Sequence, residues 1–343
     1  MDLKDLVRPN IYRLKPYSSA RSEFHGEASV FLDANENPMN APYNRYPDPL
    51  QRNLKKKVAE LKQVNPESLF FGNGSDEPID LIFRIFCEPG KDNVVAMDPT
   101  YGMYQVCADI NNIEYRKVLL NDDFSLDADL LLASVDDNTK VIFLCSPNNP
   151  TGNDINEDAV LKILKEFSGI VVVDEAYIDF SARESYLKRI LEFPELIILQ
   201  TFSKAWGLAS VRLGMAFASP EIISYFNKVK YPYNINFLTQ RFVEEQVSHP
   251  EKKASWVRML LEQRAVMVES IKILPFVKKV YPSDANFLLV GVEDANAVYQ
   301  YLMEKGIIVR NRNSVTLCLG CLRITIGTAE ENECLLEALR QYK

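Results

Sequence analysis

Residues 169–174, GIVVVD, and residues 196–201, LIILQT, contain the pattern that decides the fold. Each is a short, uninterrupted apolar run that ends at a polar residue, Asp174 in the first and Thr201 in the second. Runs that are apolar on both faces are typical of strands buried in a parallel sheet. We therefore predict two buried parallel strands at these positions.

Similar apolar runs occur earlier in the chain, and helical patterns separate them. The runs lie at residues 69–71, 93–97 and 141–145, and residues 156–167 have the periodicity of a helix. This alternation predicts an α/β fold with a doubly wound, mostly parallel sheet. Ligands bind beyond the carboxyl ends of the strands in such sheets, so the residues after each run are the candidates for function.

The pattern changes after about residue 245. A long amphipathic segment at 252–272 is followed by a strand pattern at 285–290, a helical pattern near 295–305 and a strand pattern at 321–326. These segments predict a smaller α+β domain. We expect an N-terminal arm at 1–40 that also contributes to the small domain, a large domain at 41–245, and the small domain at 246–343.

Composition excludes several classes of function. The chain has 343 residues, with 39 Lys and Arg against 47 Asp and Glu, a net charge of −8 that argues against a nucleic-acid surface. We see neither a signal-peptide pattern nor an apolar stretch long enough to cross a membrane. Six scattered cysteines indicate reduced thiols in a cytoplasmic protein. The presence of only two histidines disfavours a His-rich metal site. The lone pair Cys318 and Cys321 is weak evidence for a zinc or redox site, and a structural role is the simpler interpretation.

Two of the segments that follow strands have more than one interpretation. Residues 72–78, GNGSDEP, form a Gly-rich turn that opens a helix, which suits either a phosphate site or a simple turn with its N-cap. Residues 146–152, SPNNPTG, contain two prolines and a glycine, so an Asn amide is held rigidly towards a ligand or the loop is only a tight turn.

The remaining two segments carry a carboxylate and an amine. Asp174 directly after a buried strand needs a partner, such as the protonated ring nitrogen of pyridoxal phosphate, or it caps the next helix. Lys204 stands among apolar and small residues, which lowers a lysine pKa and makes the amine a nucleophile for a carbonyl. Thr201, Ser203 and Arg212 nearby could hold the phosphate of the same cofactor. An isolated lysine would instead be a solvated surface amine.

Together these clusters resemble the fold-type I aminotransferases that use pyridoxal 5'-phosphate. Nearly end to end, the chain is similar to the branch of this family that acts on histidinol phosphate in histidine biosynthesis. The motifs that carry the resemblance are residues 15–21, 32–38, 45–49, 99–104 and 321–328, besides the clusters above. The resemblance implies a seven-stranded sheet and amino transfer between L-histidinol phosphate and 2-oxoglutarate. Branches that transfer amino groups from aromatic amino acids or decarboxylate threonine phosphate share most motifs and remain alternatives.

The resemblance also implies roles for individual residues in the cofactor half of the site. Lys204 would hold the cofactor as a Schiff base and carry protons, and Asp174 would keep the ring nitrogen protonated. The other cofactor-binding positions are Asn149 and Tyr177 at the phenolic oxygen, Tyr101 stacked on the ring, and Ser75, Asp76, Ser203 and Arg212 at the phosphate. Tyr46 is expected to reach the phosphate in the partner subunit, so a homodimer would share the site.

Substrate anions need a separate set of residues. By the same resemblance Arg323 would bind a carboxylate, Arg310 and Tyr17 would bind the substrate phosphate, and Asn35 would contact the backbone end of the substrate. The alternative for the two arginines is a surface salt bridge. A non-catalytic ligand sensor, such as the aminotransferase-like half of a transcription regulator, would need a fused helix-turn-helix and a basic face, and the sequence indicates neither.

Overall fold

A computed structural model describes residues 3–18 and 29–342 of the chain. Its larger sheet has seven strands in the order β1-β7-β6-β5-β4-β2-β3. The strands are β1 (Leu69–Asn73), β2 (Asn93–Asp98), β3 (Glu114–Leu119), β4 (Thr139–Cys145), β5 (Ile170–Asp174), β6 (Leu196–Thr201) and β7 (Leu213–Phe217). The two runs quoted first are the neighbouring central strands β5 and β6, as predicted.

Strand direction brings the polar ends of these strands to one edge. Neighbours are parallel from β3 through β6, whereas β7 is antiparallel to both β6 and β1. The carboxyl ends of β1, β2, β4, β5 and β6 therefore lie along the same edge of the sheet. The sequence continues from each of them into one of the candidate segments.

Helices cover both faces of this sheet. In the described residues they are α1 (Leu3–Leu6), α2 (Pro9–Tyr12), α3 (Arg52–Lys62), α4 (Asp76–Phe86), α5 (Met103–Ile110), α6 (Ala128–Ala133), α7 (Glu157–Glu166), α8 (Pro220–Val229) and α9 (Phe237–Gln246). Local sequence fixes where several begin: the side chains of Asp127, Asn156 and Ser219 each accept a backbone N–H of the first turn. The sheet separates two apolar cores, one of which contains Phe71 and the other Phe70.

A second sheet is built from the C-terminal part of the chain. It is antiparallel, in the order β10-β11-β9-β8, with a third apolar core between it and three helices. Its elements are β8 (Val277–Val280), β9 (Phe287–Val292), β10 (Arg310–Asn311), β11 (Cys321–Thr325), α10 (Pro250–Ile271), α11 (Ala295–Glu304) and α12 (Ala329–Gln341). The 22-residue helix α10 leads from the large sheet to the small one.

The predicted fold class is confirmed: a seven-stranded, mostly parallel sheet accompanies a smaller α+β unit with an antiparallel four-stranded sheet. The domain borders at residues 40 and 245 stay predictions. In the described ranges, no helix has the length and apolar character that a membrane span requires.

Candidate active site

A cavity of about 820 Å³ opens at the carboxyl edge of the large sheet, and the small sheet faces it. Eleven of the residues predicted for the site line this one cavity. They are Ser75, Asp76, Tyr101, Asn149, Asp174, Tyr177, Ser203, Lys204, Arg212, Arg310 and Arg323. Segments far apart in the sequence thus meet where the strand directions predict.

Asp174 lies on the cavity floor, at the end of β5. Its side chain is buried, and its two oxygens accept hydrogen bonds from the Tyr104 hydroxyl (2.7 Å, to Oδ2) and the Ala176 N–H (3.0 Å, to Oδ1). Burial raises the pKa of this carboxyl to about 6, although both hydrogen bonds act in the opposite direction. A carboxylate held at this depth is suited to a cationic partner.

Lys204 is half-buried beside the same carboxylate. Burial, followed by the positive charge of Arg323, lowers the pKa of its amine. The Nζ atom lies 5.4 Å from the centre of the Tyr177 ring. Burial also raises the pKa of the Tyr177 hydroxyl, so that group is a neutral hydrogen-bond donor at physiological pH. The lowered pKa predicted for Lys204 therefore has a physical basis in the structure.

The start of helix α4 and Arg212 form one end of the cavity. Arg212 has a left-handed backbone (φ 54°), and its carbonyl accepts the Gly74 N–H at 3.0 Å. Gly74 is itself at φ 67°, and a Cβ there would lie 2.5 Å from Nη2 of Arg212. Only glycine lets the guanidinium approach the helix start this closely. Ser75 does not cap the helix with its side chain, which leaves the backbone N–H groups of the first turn for an anion.

Asp76 connects this end of the cavity to the aromatic wall. One carboxylate oxygen lies 3.5 Å from Nη2 of Arg212, and the other accepts the Tyr101 hydroxyl at 3.0 Å. The Tyr101 ring meets Tyr104 edge to face, with centroids 5.6 Å apart. These contacts fix the orientation of the Tyr101 ring beside the Asp174 carboxylate.

The loop at 146–152 is rigid for reasons beyond its prolines. Asn148 is buried and makes hydrogen bonds with Thr100 (2.9 Å), the Pro99 carbonyl (2.9 Å) and Thr151 (2.8 Å). The neighbouring Asn149 then points its amide into the cavity, where its Oδ1 accepts a hydrogen bond from Arg323. Of the two asparagines, one builds the loop and the other faces the cavity.

The small sheet contributes a cluster of arginines. Arg310 and Arg323 are directly paired across β10 and β11, and the Arg312 N–H continues this pairing to the Cys321 carbonyl at 2.9 Å. Residues paired across strands, and residues two apart along a strand, share a face. Arg310, Arg312 and Arg323 therefore project from the same face, and all three line the cavity.

Three predicted residues do not lie in this cavity. Tyr17 is 74% exposed, on the segment before the undescribed residues. Asn35 and Tyr46 line a different pocket of about 760 Å³, where the Tyr46 ring stacks on Tyr233 at 4.5 Å. The expected contribution of Tyr46 to a partner's site stays a prediction.

The cysteine pair of the C-terminal segment has no sign of special chemistry. Cys318 and Cys321 are buried free thiols. Burial raises the pKa of Cys318 to about 12 and that of Cys321 as well, which disfavours thiolate chemistry. Across residues 3–18 and 29–342, no cluster of His, Cys, Asp and Glu could hold a metal ion.

Two residues of the site were not predicted from sequence. Tyr104 is fully buried and donates a hydrogen bond to Asp174 from the first turn of α5. Its spacing of three residues from Tyr101 is typical of side chains on one face of a helix, and this signal indicated the same site. Arg312 lines the cavity beside Arg310 and Arg323, and its two-residue spacing from Arg310 was the corresponding strand signal.

The geometry defines a class of enzyme. A lysine with a lowered pKa, a buried carboxylate, a phosphate cradle and an aromatic wall together fit pyridoxal 5'-phosphate: the carboxylate suits the ring nitrogen, and the Gly74 cradle suits the phosphate. The family model of aminotransferases of class I and II matches residues 25–339. The chain belongs to this family, whose cofactor is pyridoxal 5'-phosphate.

Within that family the chain belongs with the histidinol-phosphate aminotransferases. It is 60% identical to the histidinol-phosphate aminotransferase of Parabacteroides distasonis, with 100% of this chain and 99% of the relative covered. It is 59% identical to that of Bacteroides fragilis, with 99% of each chain covered. The solved structure of the Sinorhizobium meliloti histidinol-phosphate aminotransferase in complex with pyridoxal-5'-phosphate superposes with a TM-score of 0.80 at 23% identity, covering 87% of this chain and 82% of that one. The family resemblance inferred from the motifs is confirmed.

Proposed function

We propose that this enzyme transfers the amino group of L-histidinol phosphate to 2-oxoglutarate, giving imidazole-acetol phosphate and glutamate. The observation that carries the proposal is one cavity with an amine of lowered pKa and a buried carboxylate on its floor and a cluster of arginines opposite. The names of relatives that are 59% and 60% identical support the choice of substrate.

In the cofactor half, each of the chain's groups would have one task. Bound pyridoxal phosphate supplies an electron-withdrawing ring that stabilises negative charge at the substrate Cα. Asp174 holds a proton at the ring nitrogen, and the Tyr104 hydroxyl fixes the orientation of its carboxylate. The Arg212 guanidinium, Ser203, and the helix start at Ser75 and Asp76, which line one cavity, would bind the phosphate. Tyr177 and Asn149 would donate to the phenolic oxygen, and Tyr101 would cover one face of the ring.

Lys204 would be the proton carrier. Its lowered pKa favours the neutral amine, the form in which Nζ would take the proton from the substrate Cα before returning it as a general acid. The second half of the reaction runs in reverse with 2-oxoglutarate, so we expect ping-pong kinetics.

In the substrate half, anion binding would be the main task. Six cationic side chains line the cavity against three carboxylates, although the whole chain has a net charge of −8. The cations are Lys117, Lys204, Arg212, Arg310, Arg312 and Arg323. We assign a carboxylate of glutamate or 2-oxoglutarate to Arg323, because L-histidinol phosphate has none, and the phosphate of L-histidinol phosphate to Arg310 and Tyr17. Asn35 would be a further contact at the backbone end of the substrate.

We also propose that the enzyme works in the cytoplasm as a homodimer. Asn35 and Tyr46 lie outside their own chain's cavity, in a pocket with exposed aromatic side chains such as Tyr43. A second chain would cover this pocket and receive Tyr46 at its cofactor phosphate. Measuring the mass of the protein in solution tests this assignment, and a monomer that retains full activity contradicts it.

The substrate is tested with the purified enzyme loaded with pyridoxal phosphate. L-histidinol phosphate, L-tyrosine and threonine phosphate are compared as amines, with 2-oxoglutarate as acceptor. We expect the highest kcat/KM for glutamate formation with histidinol phosphate. A preference for tyrosine, or release of carbon dioxide from threonine phosphate, contradicts the substrate while leaving the family assignment intact. If none of the amines yields glutamate, the proposed reaction is wrong.

A further inference from the structure

Arg312, in the cavity, has a buried side-chain N–H group that lacks an acceptor in the described part of the chain. Its Nε atom is fully buried and has no hydrogen-bond partner in the described residues. Neither Arg312 nor Arg310 forms an ion pair anywhere in residues 3–18 and 29–342, whereas Arg323 donates to the neutral Asn149. A buried N–H group without an acceptor costs free energy, because it has lost its hydrogen bond to water and gained nothing in exchange.

The neighbours of Arg312 add to this cost. The strand register places the like charge of Arg310 two residues along the same face and the like charge of Arg323 on the adjacent strand. Burial first, and then the positive charges of Arg323 and Arg310, lower the pKa of Arg312 to about 10. It remains a cation at physiological pH. Three cations on one face repel one another, so the cluster is stabilised only when an anion binds between them.

We propose that Arg312 is a third anion-binding residue of the substrate half, which makes the cluster selective for a phosphate monoester dianion over a carboxylate. This inference rests on the proposed function and names a residue that determines its specificity. A carboxylate has two oxygens in one plane, and a single arginine fork satisfies it. A tetrahedral phosphate presents three terminal oxygens and up to two charges, and it can accept from three guanidiniums at once.

The test uses the holoenzyme, in which the cofactor's own phosphate already occupies the Arg212 end, so added inorganic phosphate reports on the arginine cluster. The variants are Arg312→Met, which keeps the bulk of the side chain, and Arg312→Lys, which keeps the charge without the fork. Arg258→Met, an exposed position on α10, is the matched control. Phosphate affinity is measured by calorimetry, and KM is measured separately for the phosphorylated amine and for glutamate.

We expect Arg312→Met to weaken inorganic phosphate binding by roughly 10- to 100-fold, the loss that follows from removing a charge-assisted hydrogen bond. KM for the phosphorylated amine should rise much more than KM for glutamate. Arg312→Lys should be intermediate, and Arg258→Met should equal the wild type. Without phosphate, Arg312→Met should melt at or above the wild-type temperature, since it removes a buried N–H group that has no acceptor among the described residues and relieves the repulsion with Arg310 and Arg323.

Unchanged phosphate affinity in Arg312→Met overturns the proposal. An equal loss of affinity for phosphate and glutamate, or a melting temperature below that of the wild type, also overturns it, because either result assigns Arg312 a structural role. The phosphate measurement does not depend on the substrate being histidinol phosphate. If the wild type turns over histidinol phosphate while Arg312→Met retains phosphate affinity, this inference fails and the proposed function stands.

Discussion

The two walls of the cavity differ in how their charged groups are partnered. On the wall formed by the large sheet, Asp174 accepts from Tyr104 and Ala176, and Asp76 contacts both Arg212 and Tyr101. On the wall formed by the small sheet, the described residues provide no acceptor for Arg312 Nε.

This difference indicates two kinds of ligand. A cofactor that stays bound through every turnover is best held by groups that are already fixed in orientation, because no ordering is then needed on binding. Substrates and products must leave, so the charged groups that bind them can lack hydrogen-bond acceptors until an anion binds.

Replacing Lys204 with alanine should have the largest effect on the floor. We expect kcat to fall by about 10²- to 10⁴-fold or more, because general acid–base catalysis by this amine is lost. Cofactor that borohydride can fix to the protein should disappear as well. The control is Lys188→Ala, an exposed lysine paired with Glu184. Retention of either turnover or fixable cofactor in the Lys204 variant contradicts its role.

Asp174→Asn should reduce kcat by about 100-fold or more, since breaking a buried ion pair costs about 3–5 kcal/mol. The lost pair is the one between the carboxylate and the protonated ring nitrogen. Asp129→Asn, at an exposed carboxylate, should have normal activity. If Asp174→Asn retains more than a tenth of wild-type kcat, the carboxylate does not hold the ring proton.

Asp174→Asn should reduce activity but should stabilise the cofactor-free protein. Because the pKa of Asp174 is raised from 3.8 to about 6, the folded state binds the proton more tightly than the unfolded state. As the pH rises from about 4 to about 6, this group therefore lowers the free energy of unfolding of the wild type by about 3 kcal/mol. Asp174→Asn lacks this loss, so its advantage in melting temperature should grow over that range and stay constant above it. An advantage that shrinks with rising pH contradicts the buried, raised pKa.

Tyr104→Phe should reduce kcat by about tenfold, the effect of removing a hydrogen bond to a charged group. Since the Tyr104 hydroxyl lowers the pKa of Asp174, its removal should raise that pKa further and move the acid limb of the pH profile to higher pH. The visible absorbance of the bound cofactor, followed against pH, should shift in the same direction. Tyr301→Phe, which loses a hydrogen bond to the Ala338 carbonyl far from the cavity, is the control. Loss of activity without a pH shift would assign Tyr104 to packing alone.

The two walls also differ in how far the sequence could predict them. Strands β4, β5 and β6 are apolar on both faces, a pattern that identifies buried parallel strands, and the residues after them formed most of the predicted floor. The edge strand β3 was not predicted because its sequence, EYRKVL, is largely polar, and only one of its residues is buried.

The arginine wall depends on register, which no local pattern specifies. Strand β10 has two residues, and the turn that follows decides which residue faces Arg323. Arg310 and Arg323 were predicted through family resemblance, whereas Arg312 required the actual pairing. The helix position of Tyr104 shows the same limit: its spacing indicated the face, but only the three-dimensional structure identified Asp174 as the acceptor of its hydroxyl.

Arg310→Gln should have the smallest effect on the arginine wall. Arg310 is exposed, and exposed charge contacts contribute about 0.2–1 kcal/mol, so KM for the phosphorylated amine should rise only about two- to fivefold with kcat unchanged. Salt screens exposed charges more than buried ones, so the difference from the wild type should shrink as ionic strength increases. The effect of Arg312→Met should be larger and should persist in salt. If Arg310→Gln raised KM more than Arg312→Met, the phosphate would bind at the open rim of the cavity, and the unpartnered Nε of Arg312 would stay unexplained within the described residues.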